Sequence, residues 1–152
     1  MKRKKSKTKG TERWFFFIYI RKYQTSTLQE YQNDSTTMDM KWVFITGCDS
    51  GFGAIMVEKI KAMRGVGVFA GCYLADTVDT YNGLGRNDLF AIRIDVTDVE
   101  SVEQASRTVQ SLLGKGKLHG IVNNAGILIN PGPTEWTPVE DYKKMFNVNV
   151  LG

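Results

Sequence analysis

The sequence predicts an α/β fold in which a parallel sheet is covered by helices on both faces. Three observations predict it. Short apolar runs typical of buried strands alternate with longer segments of helical periodicity. A glycine-rich stretch at 46–53 joins the first of these strands to the first helix. The three prolines all lie in one late segment, 131–138, so they interrupt none of the earlier predicted elements.

Each element has a local signal. The predicted strands are 42–45, 66–72, 89–94 and 118–122, and the predicted helices are 54–63, 97–113 and one that begins near Pro138. The polar connection 73–88 is expected to hold at most a short helix. Capping-box patterns, Thr97 with Glu100 and Thr137 with Glu140, predict the starts of the last two helices.

Helical spacing also predicts which side chains are buried. The first helix is expected to bury Phe52, Ile55, Met56, Ile60 and Met63, and the second Val102, Ala105, Val109, Leu112 and Leu113.

The glycine turn is the most informative stretch. Gly47 suits a tight turn, Gly51 lets the backbone approach a ligand, and Gly53 lets the helix pack near the sheet. The unpaired N–H groups of the first helical turn then face an anion, which the helix dipole also favours. The context of strand, turn and helix therefore predicts a phosphate-binding site.

Charge is distributed unevenly along the chain. The net charge is +4, but six basic residues lie within the first nine positions, and the remainder has fourteen basic against sixteen acidic residues. The basic character therefore belongs to the N-terminus, and no nucleic-acid binding is expected of the domain.

The two cysteines, Cys48 and Cys72, suit neither a disulfide framework nor a metal site, and reduced intracellular thiols are expected. The single histidine, His119, cannot form a metal site alone and is expected at the surface.

Residues 1–40 differ from the rest of the chain. A basic stretch leads into the aromatic run 14–20, which is too short to cross a bilayer, for which about 20 residues are needed. The run lacks a small-residue cleavage site, so it is a poor signal peptide. Two interpretations stay open: membrane-surface contact through residues 1–22, or a poorly ordered extension that precedes the domain at 41–152.

Several segments match one family together. Thr46–Gly53, Asp95–Thr97 and Asn123–Gly126 resemble the cofactor turn, the adenine-side motif and the signature after the fourth strand of short-chain dehydrogenases/reductases. The chain looks most like the branch that contains retinol and hydroxysteroid dehydrogenases, to which 132–136 and 149–152 are also similar. The resemblance implies a Rossmann-like doubly wound parallel sheet, incomplete at about four strands in the order 3-2-1-4.

The resemblance assigns roles to matched positions. Thr46 would brace the turn, Asp95 would accept a hydrogen bond from the adenine amino group, and Asn149, rather than Asn147, would be the catalytic asparagine that holds a water. Two alternatives stay open: Thr46 is only the last residue of a strand, and Asp95 is only a turn residue. The implied cofactor-binding residues are Thr46, Gly47, Cys48, Asp49, Ser50, Gly51, Phe52, Gly53, Asp95, Val96, Asn123, Asn124, Ala125 and Gly126.

Cofactor choice depends on the end of the second strand. An acid there binds the ribose hydroxyls of NAD, whereas an arginine accommodates the phosphate of NADP. The chain has Cys72, Tyr73 and Leu74 in that zone, with Asp76 nearby in an uncertain register. No lysine or arginine lies within 47–53 or 68–79. NAD(H) is therefore favoured over NADP(H).

The family's catalytic acid is absent from these residues. In the family a tyrosine acts as acid and base, a lysine four residues later lowers its pKa, and a serine polarises the substrate oxygen. No Tyr-x-x-x-Lys occurs here, since Tyr142 is followed at the fourth place by Phe146. The chain is therefore expected to be inactive alone and marginally stable, with an apolar strand edge open to aggregation or pairing.

Three functional interpretations stay open. The first is part of an oxidoreductase that acts, in full-length form, on a lipophilic alcohol or ketone such as a retinoid or steroid. The second is a catalytically incomplete dinucleotide-binding module or pseudoenzyme that works through a partner. The third is an interaction protein whose N-terminus binds membranes. The resemblance favours the first, in the cytoplasm or at the endoplasmic reticulum membrane, with a homo-oligomer as the expected full-length form.

Overall fold

A computed structural model describes residues 40–152. The predictions for the N-terminal extension lie outside the described residues. The elements in chain order are β1 (Lys41–Thr46), α1 (Gly51–Lys61), β2 (Val66–Cys72), α2 (Ala75–Asn82), β3 (Leu89–Arg93), α3 (Val99–Leu113), β4 (Leu118–Val122) and α4 (Val139–Phe146). A short 3-10 turn at Thr134–Trp136 precedes α4, and a π-helical turn at Asn147–Leu151 continues it.

The four strands form one parallel sheet in the order β3-β2-β1-β4, which confirms the predicted fold and strand order. Phe44 in the middle of β1 pairs with Phe69 of β2 on one side and Ile121 of β4 on the other. The connections run in opposite directions on the two sides of β1. The crevice at the carboxyl ends of β1 and β4 is therefore the place where such sheets bind ligands.

Alternate side chains of the strands build two cores. On one face, Ile45 and Val68 pack with Val57 of α1, and α2 adds the partly buried Tyr81. On the other face, Phe44, Phe69 and Ile92 pack with Ala105 and Val109 of α3. The three strand residues come from β1, β2 and β3. Since each face of the sheet has its own helices, the sheet is doubly wound, as predicted.

The first helix differs from its prediction. It begins at Gly51, three residues before the predicted start, and ends at Lys61. Only Gly53 and Val57 are fully buried, while the side chains of Phe52, Ile55 and Met63 are 61%, 52% and 54% exposed. The prediction of a wide buried face was therefore wrong, because α1 contacts the sheet through a narrow stripe centred on Val57. Met56 and Ile60, also predicted to be buried, are partly so at the edges of that stripe.

The third helix is buried less widely than predicted. Ala105 and Val109 are buried and Leu113 is partly buried, but Val102 and Leu112 are 41% and 45% exposed. Val102 lines a cavity between α3 and β4 and is not packed in the core.

Both capping-box predictions were wrong in detail. Asp98, not Thr97, caps α3 by accepting a hydrogen bond from the amide of Glu100 at 3.0 Å, because the Thr97 hydroxyl already donates to Asp95. At α4 the capping position is Pro138, which has no side chain able to accept a hydrogen bond, and Glu140 instead pairs with Lys143. The first residues of α3 and α4 were therefore predicted to within about two positions, whereas the groups that cap these helices were not predicted.

Candidate functional site

The glycine turn between β1 and α1 shows why each glycine is needed. Gly47 has a φ of +70°, and a Cβ on it would approach Ala125 Cα at 2.8 Å. Gly51 has a φ of +57° with open space around it. Gly53 is packed so closely that a Cβ would overlap the carbonyl group of Gly47. The turn is therefore tightly packed toward the protein and open on its outer side.

The turn is fastened to the segment after β4 through Thr46 and Asn124. The Thr46 hydroxyl oxygen accepts hydrogen bonds from the amides of Asn124 (3.0 Å) and Ala125 (2.9 Å). The Asn124 side-chain amide donates to the carbonyl groups of Thr46 (2.9 Å) and Gly47 (3.2 Å). Thr46 is 7% exposed, so loss of these bonds would leave buried polar groups without partners.

The same turn is fastened to the end of β2. The Cys48 amide donates to the Gly71 carbonyl at 2.9 Å. The two carboxylate oxygens of Asp49 accept from the amides of Tyr73 (2.8 Å) and Leu74 (2.9 Å). Because the Cys48 N–H is engaged inside the protein, this amide braces the turn and is not available to a phosphate.

The start of α1 has neither a capping side chain nor an acidic residue. Ser50 occupies the N-cap position in extended backbone but makes no capping hydrogen bond, and the first turn has no acidic residue. The first amides of an α-helix have no partner within the helix. The uncapped start of α1 therefore favours a negatively charged group through the helix dipole.

A cleft of about 580 Å³ lies against this turn. Its walls come from the glycine turn, the ends of β2 and β3, the segment after β4, and α4 with its π-helical continuation. The lining residues are Gly47, Asp49, Ser50, Tyr73, Leu74, Ile94, Asp95, Val96, Thr97, Ala125, Gly126, Ile127, Lys144, Asn147 and Val148. Seven of the fifteen predicted site residues thus line one cavity, although they come from three separate motifs.

The carboxylate of Asp95 is held in place at the wall of this cleft. Its Oδ1 accepts from the amide (2.9 Å) and the hydroxyl (2.7 Å) of Thr97, and its own amide donates to Ser101. No hydrogen bond within the described residues engages Oδ2. This geometry suits the prediction that Asp95 accepts a hydrogen bond from a ligand.

The remaining predicted residues have other positions. The hydrogen bonds that brace the turn from beneath are made by Thr46, Cys48 and Asn124. Gly53 packs closely against Gly47. Gly51 and Phe52 are exposed at the start of α1. Asn123 lines a different cavity, between α3 and β4. Asn149 makes two hydrogen bonds with the backbone of Ile127, at 2.8 and 2.9 Å, while Asn147 lines the cleft.

Sequence reasoning missed the cleft residues that lie outside the motifs. Tyr73 and Leu74 carry no charge that marks them as binding residues, and neither Lys144 nor Val148 belongs to a matched motif. The loops next to the glycine turn do not contain Lys144. This residue reaches the cleft from α4, about a hundred residues after the turn in the chain. No local sequence pattern predicts that a residue so distant in the chain lines the cleft.

Two buried thiols lie beneath the turn. Cys48 and Cys72 are both free and fully buried, as predicted for unpaired cysteines. Burial raises the pKa of each thiol to about 12, and the nearby Asp49 carboxylate adds to the effect. The thiols are therefore neutral packing groups at physiological pH and not nucleophiles.

Among the described residues, 40–152, no cluster of three or more His, Cys, Asp or Glu side chains is placed to bind a metal ion. None of the helices in the same range has the length and apolar character required to span a bilayer.

Comparison with known proteins agrees with the fold. The family model for short chain dehydrogenase matches residues 41–152. Human 17-beta-hydroxysteroid dehydrogenase type 6 is 40% identical over 112 residues, which are 74% of this chain and 35% of that protein. Mouse retinol dehydrogenase 5 is 35% identical over 111 residues, 73% of this chain and 35% of that protein.

A solved structure shows the same arrangement of strands and helices. The 3-ketoacyl-(acyl-carrier-protein) reductase of Brucella melitensis, complexed with NADH, aligns with a TM-score of 0.66 and 29% identity, covering 75% of this chain and 46% of that one.

The chain belongs to the short chain dehydrogenase family. It is similar to members of the retinol and hydroxysteroid dehydrogenase branch, and it spans about a third of the length of the curated relatives it matches.

A first prediction concerns the brace at Thr46. Replacing Thr46 with valine leaves the amides of Asn124 and Ala125 without an acceptor, so we expect a loss of about 2 kcal/mol in the free energy of unfolding. Thr46→Ser keeps the hydroxyl group and should lose less than half as much. Urea unfolding of the 152-residue chain, followed by circular dichroism, measures both. Equal losses in the two variants would contradict a hydrogen-bonding role.

A second prediction concerns the buried thiols and pH. Because the folded-state pKa of each thiol lies above its ordinary value of 9.0, their contribution to stability is complete below about pH 9. It declines as the pH rises from about 9 toward 12. Urea midpoints measured from pH 7 to 10.5 should fall above pH 9, and fall less steeply in the Cys48→Ala/Cys72→Ala variant. If the urea midpoints of the wild-type chain and the variant fall equally with pH, the two thiols are not the source of the pH dependence.

Proposed function

We propose that this chain is the cofactor-binding part of an NAD(P)-dependent oxidoreductase. The observation that carries the proposal is the turn before α1, where open space outside Gly51 adjoins a helix start without a competing acid or cap. A dinucleotide diphosphate fits this chemistry, since its negative charge is favoured at the uncapped N-terminus of a helix. The reductase structure described above is a complex with NADH, which supports a nicotinamide dinucleotide here as well.

The residues of the cleft suggest how the cofactor would be held. Ser50 and the following amides would contact the diphosphate, Asp95 would accept from the adenine, and Ala125 and Gly126 leave room for a ribose at the other end. Bound there, the cofactor supplies hydride transfer chemistry. The protein's part within 40–152 is to bind and orient it.

We further propose NAD(H) as the preferred cofactor. Residues 47–53 and 68–79 include no lysine or arginine, so a 2′-phosphate finds no cation in either segment. Lys144 is a basic side chain in the cleft wall, but it lies 3.9 Å from Asp141 in an ion pair.

The substrate class is proposed from the relatives. Their names specify retinol and a hydroxysteroid, and both are lipophilic alcohols. We infer a lipophilic alcohol or ketone for the whole protein, with Asn149 as the catalytic asparagine. The two hydrogen bonds between Asn149 and Ile127 fix this side chain next to the cleft segment 125–127. An intracellular location, at the endoplasmic reticulum membrane or in the cytoplasm, stays a prediction. So do the homo-oligomer and the membrane contact.

The pseudoenzyme alternative finds no support among the relatives, whose names are those of dehydrogenases.

A third prediction tests the phosphate-binding turn with two matched glycines. Gly51 and Gly85 have φ values of +57° and +62°, and each has open space around it. Alanine at either place should therefore cost similar stability, about 1 kcal/mol. Only Gly51→Ala should weaken NADH binding, by roughly tenfold, because a methyl group then lies where the diphosphate approaches.

NADH fluorescence titration of the 152-residue chain, with unfolding curves for both variants, measures this. Equal NADH affinities in the two variants would place the dinucleotide elsewhere.

A fourth prediction concerns the whole protein. A protein expressed from a transcript that continues past Gly152 through a Tyr-x-x-x-Lys segment should oxidise a retinoid or steroid alcohol with NAD, while Asn149→Ala in it should lose at least tenfold in kcat with less change in KM. Absorbance at the reduced nicotinamide band follows the reaction. Full activity in the Asn149 variant would remove this residue from catalysis.

A further inference from the structure

Asp49 brings a carboxylate from the glycine turn to the end of β2. Its two oxygens accept from the amides of Tyr73 and Leu74 at 2.8 and 2.9 Å, across 24 and 25 residues of sequence. Hydrogen bonds to an ionised carboxylate are stronger than neutral ones. The position of this charge at the end of β2 is therefore well fixed.

The end of β2 is where folds of this kind discriminate between dinucleotides. An acid at the end of the strand accepts a hydrogen bond from the ribose 2′-hydroxyl of NAD, and a basic residue takes the 2′-phosphate of NADP. Here the strand's own residues at that place, Cys72, Tyr73 and Leu74, supply neither group. Asp49 lines the cleft beside Tyr73 and Leu74, so its carboxylate stands in the zone that the strand leaves uncharged.

We propose that Asp49 is the residue that selects a cofactor without a 2′-phosphate, in place of an acid at the end of β2. Each carboxylate oxygen already accepts one amide but has a second lone pair, so it is able to accept from a ribose hydroxyl. The same charge repels a phosphate group. This inference rests on the proposed function, because it requires the adenosine half of a dinucleotide in the cleft.

The charges that face the cleft agree with this selection. Among the described residues the lining contains two acids, Asp49 and Asp95, and one base, Lys144. Lys144 is paired with Asp141, whose side chain is 14% exposed and also accepts a hydrogen bond from Asn130 at 2.7 Å. The formal charge of the lining is therefore negative, which disfavours an additional phosphate.

Two variants distinguish the effect of the Asp49 charge from the effect of removing any nearby negative charge. Asp49→Asn keeps nearly the same shape and one acceptor oxygen but removes the charge. Asp76→Asn removes an equal charge from an exposed acid two residues past Leu74, in the first turn of α2, that does not line the cleft. The ligands are ADP-ribose and 2′-phospho-ADP-ribose, which both lack the nicotinamide.

Calorimetric titration of the 152-residue chain gives the ratio of the two dissociation constants for each protein. We expect the wild-type chain and Asp76→Asn to prefer ADP-ribose by roughly tenfold or more, and Asp49→Asn to lose most of that preference. Each ratio compares two ligands on the same protein, so a reduced folded fraction cancels. In the wild-type chain, the preference should also shrink as salt rises from about 0.05 to 0.5 M, because salt screens the repulsion.

The outcomes distinguish this inference from the function on which it rests. If the wild-type chain binds ADP-ribose but Asp49→Asn keeps the full preference, selection by Asp49 is overturned and the dinucleotide site stands. Where the Asn variant does not fold, a salt-independent preference in the wild-type chain overturns it equally. If the wild-type chain binds neither ligand at millimolar concentration, the cofactor site itself is wrong and the inference fails with it.

Discussion

The site depends on how the turn after β1 is held. A glycine turn would have many accessible conformations if it were isolated. Here hydrogen bonds hold it from both sides: Thr46 and Asn124 join it to the segment after β4, and Cys48 and Asp49 join it to the end of β2. Strands β4 and β2 both pair with β1. The central position of β1 in the sheet is therefore what gives the turn two neighbours to bind.

This arrangement has a chemical consequence for the amides. The inner amide of the turn, that of Cys48, is used for bracing, whereas the amides at the start of α1 lack a capping side chain. Packing makes the same distinction, since Gly47 and Gly53 are in close contact and Gly51 adjoins open space. The inner side of the turn is therefore fixed by the protein's own hydrogen bonds, and the outer side stays open at Gly51. A loop fixed in this way needs no reordering when a ligand binds.

The sequence predicted the local features well. Alternating apolar runs predicted all four strands to within a residue or two, and the motif at 46–53 predicted the turn with its strand and helix. Local patterns were less informative about contacts made at a distance. Helical spacing identifies the apolar side chains of α1, but the sheet covers only the stripe around Val57, so Ile55 and Met63 stay exposed. The cap of α3 moved from Thr97 to Asp98 because Asp95 engages the threonine hydroxyl.

The site was predictable where one motif supplies both backbone and side chains. It was not predictable where residues far apart in the chain meet, as Asp49 meets Leu74 and as Lys144 reaches the cleft from α4. Nuclear magnetic resonance of the ¹⁵N-labelled chain, titrated with ADP-ribose, tests the central claim most directly. The account predicts that the largest amide shifts occur at 49–53 and 73–74, with little change at Cys48. Shifts concentrated instead along α3 and β4, or a Cys48 amide that moves most, would contradict it.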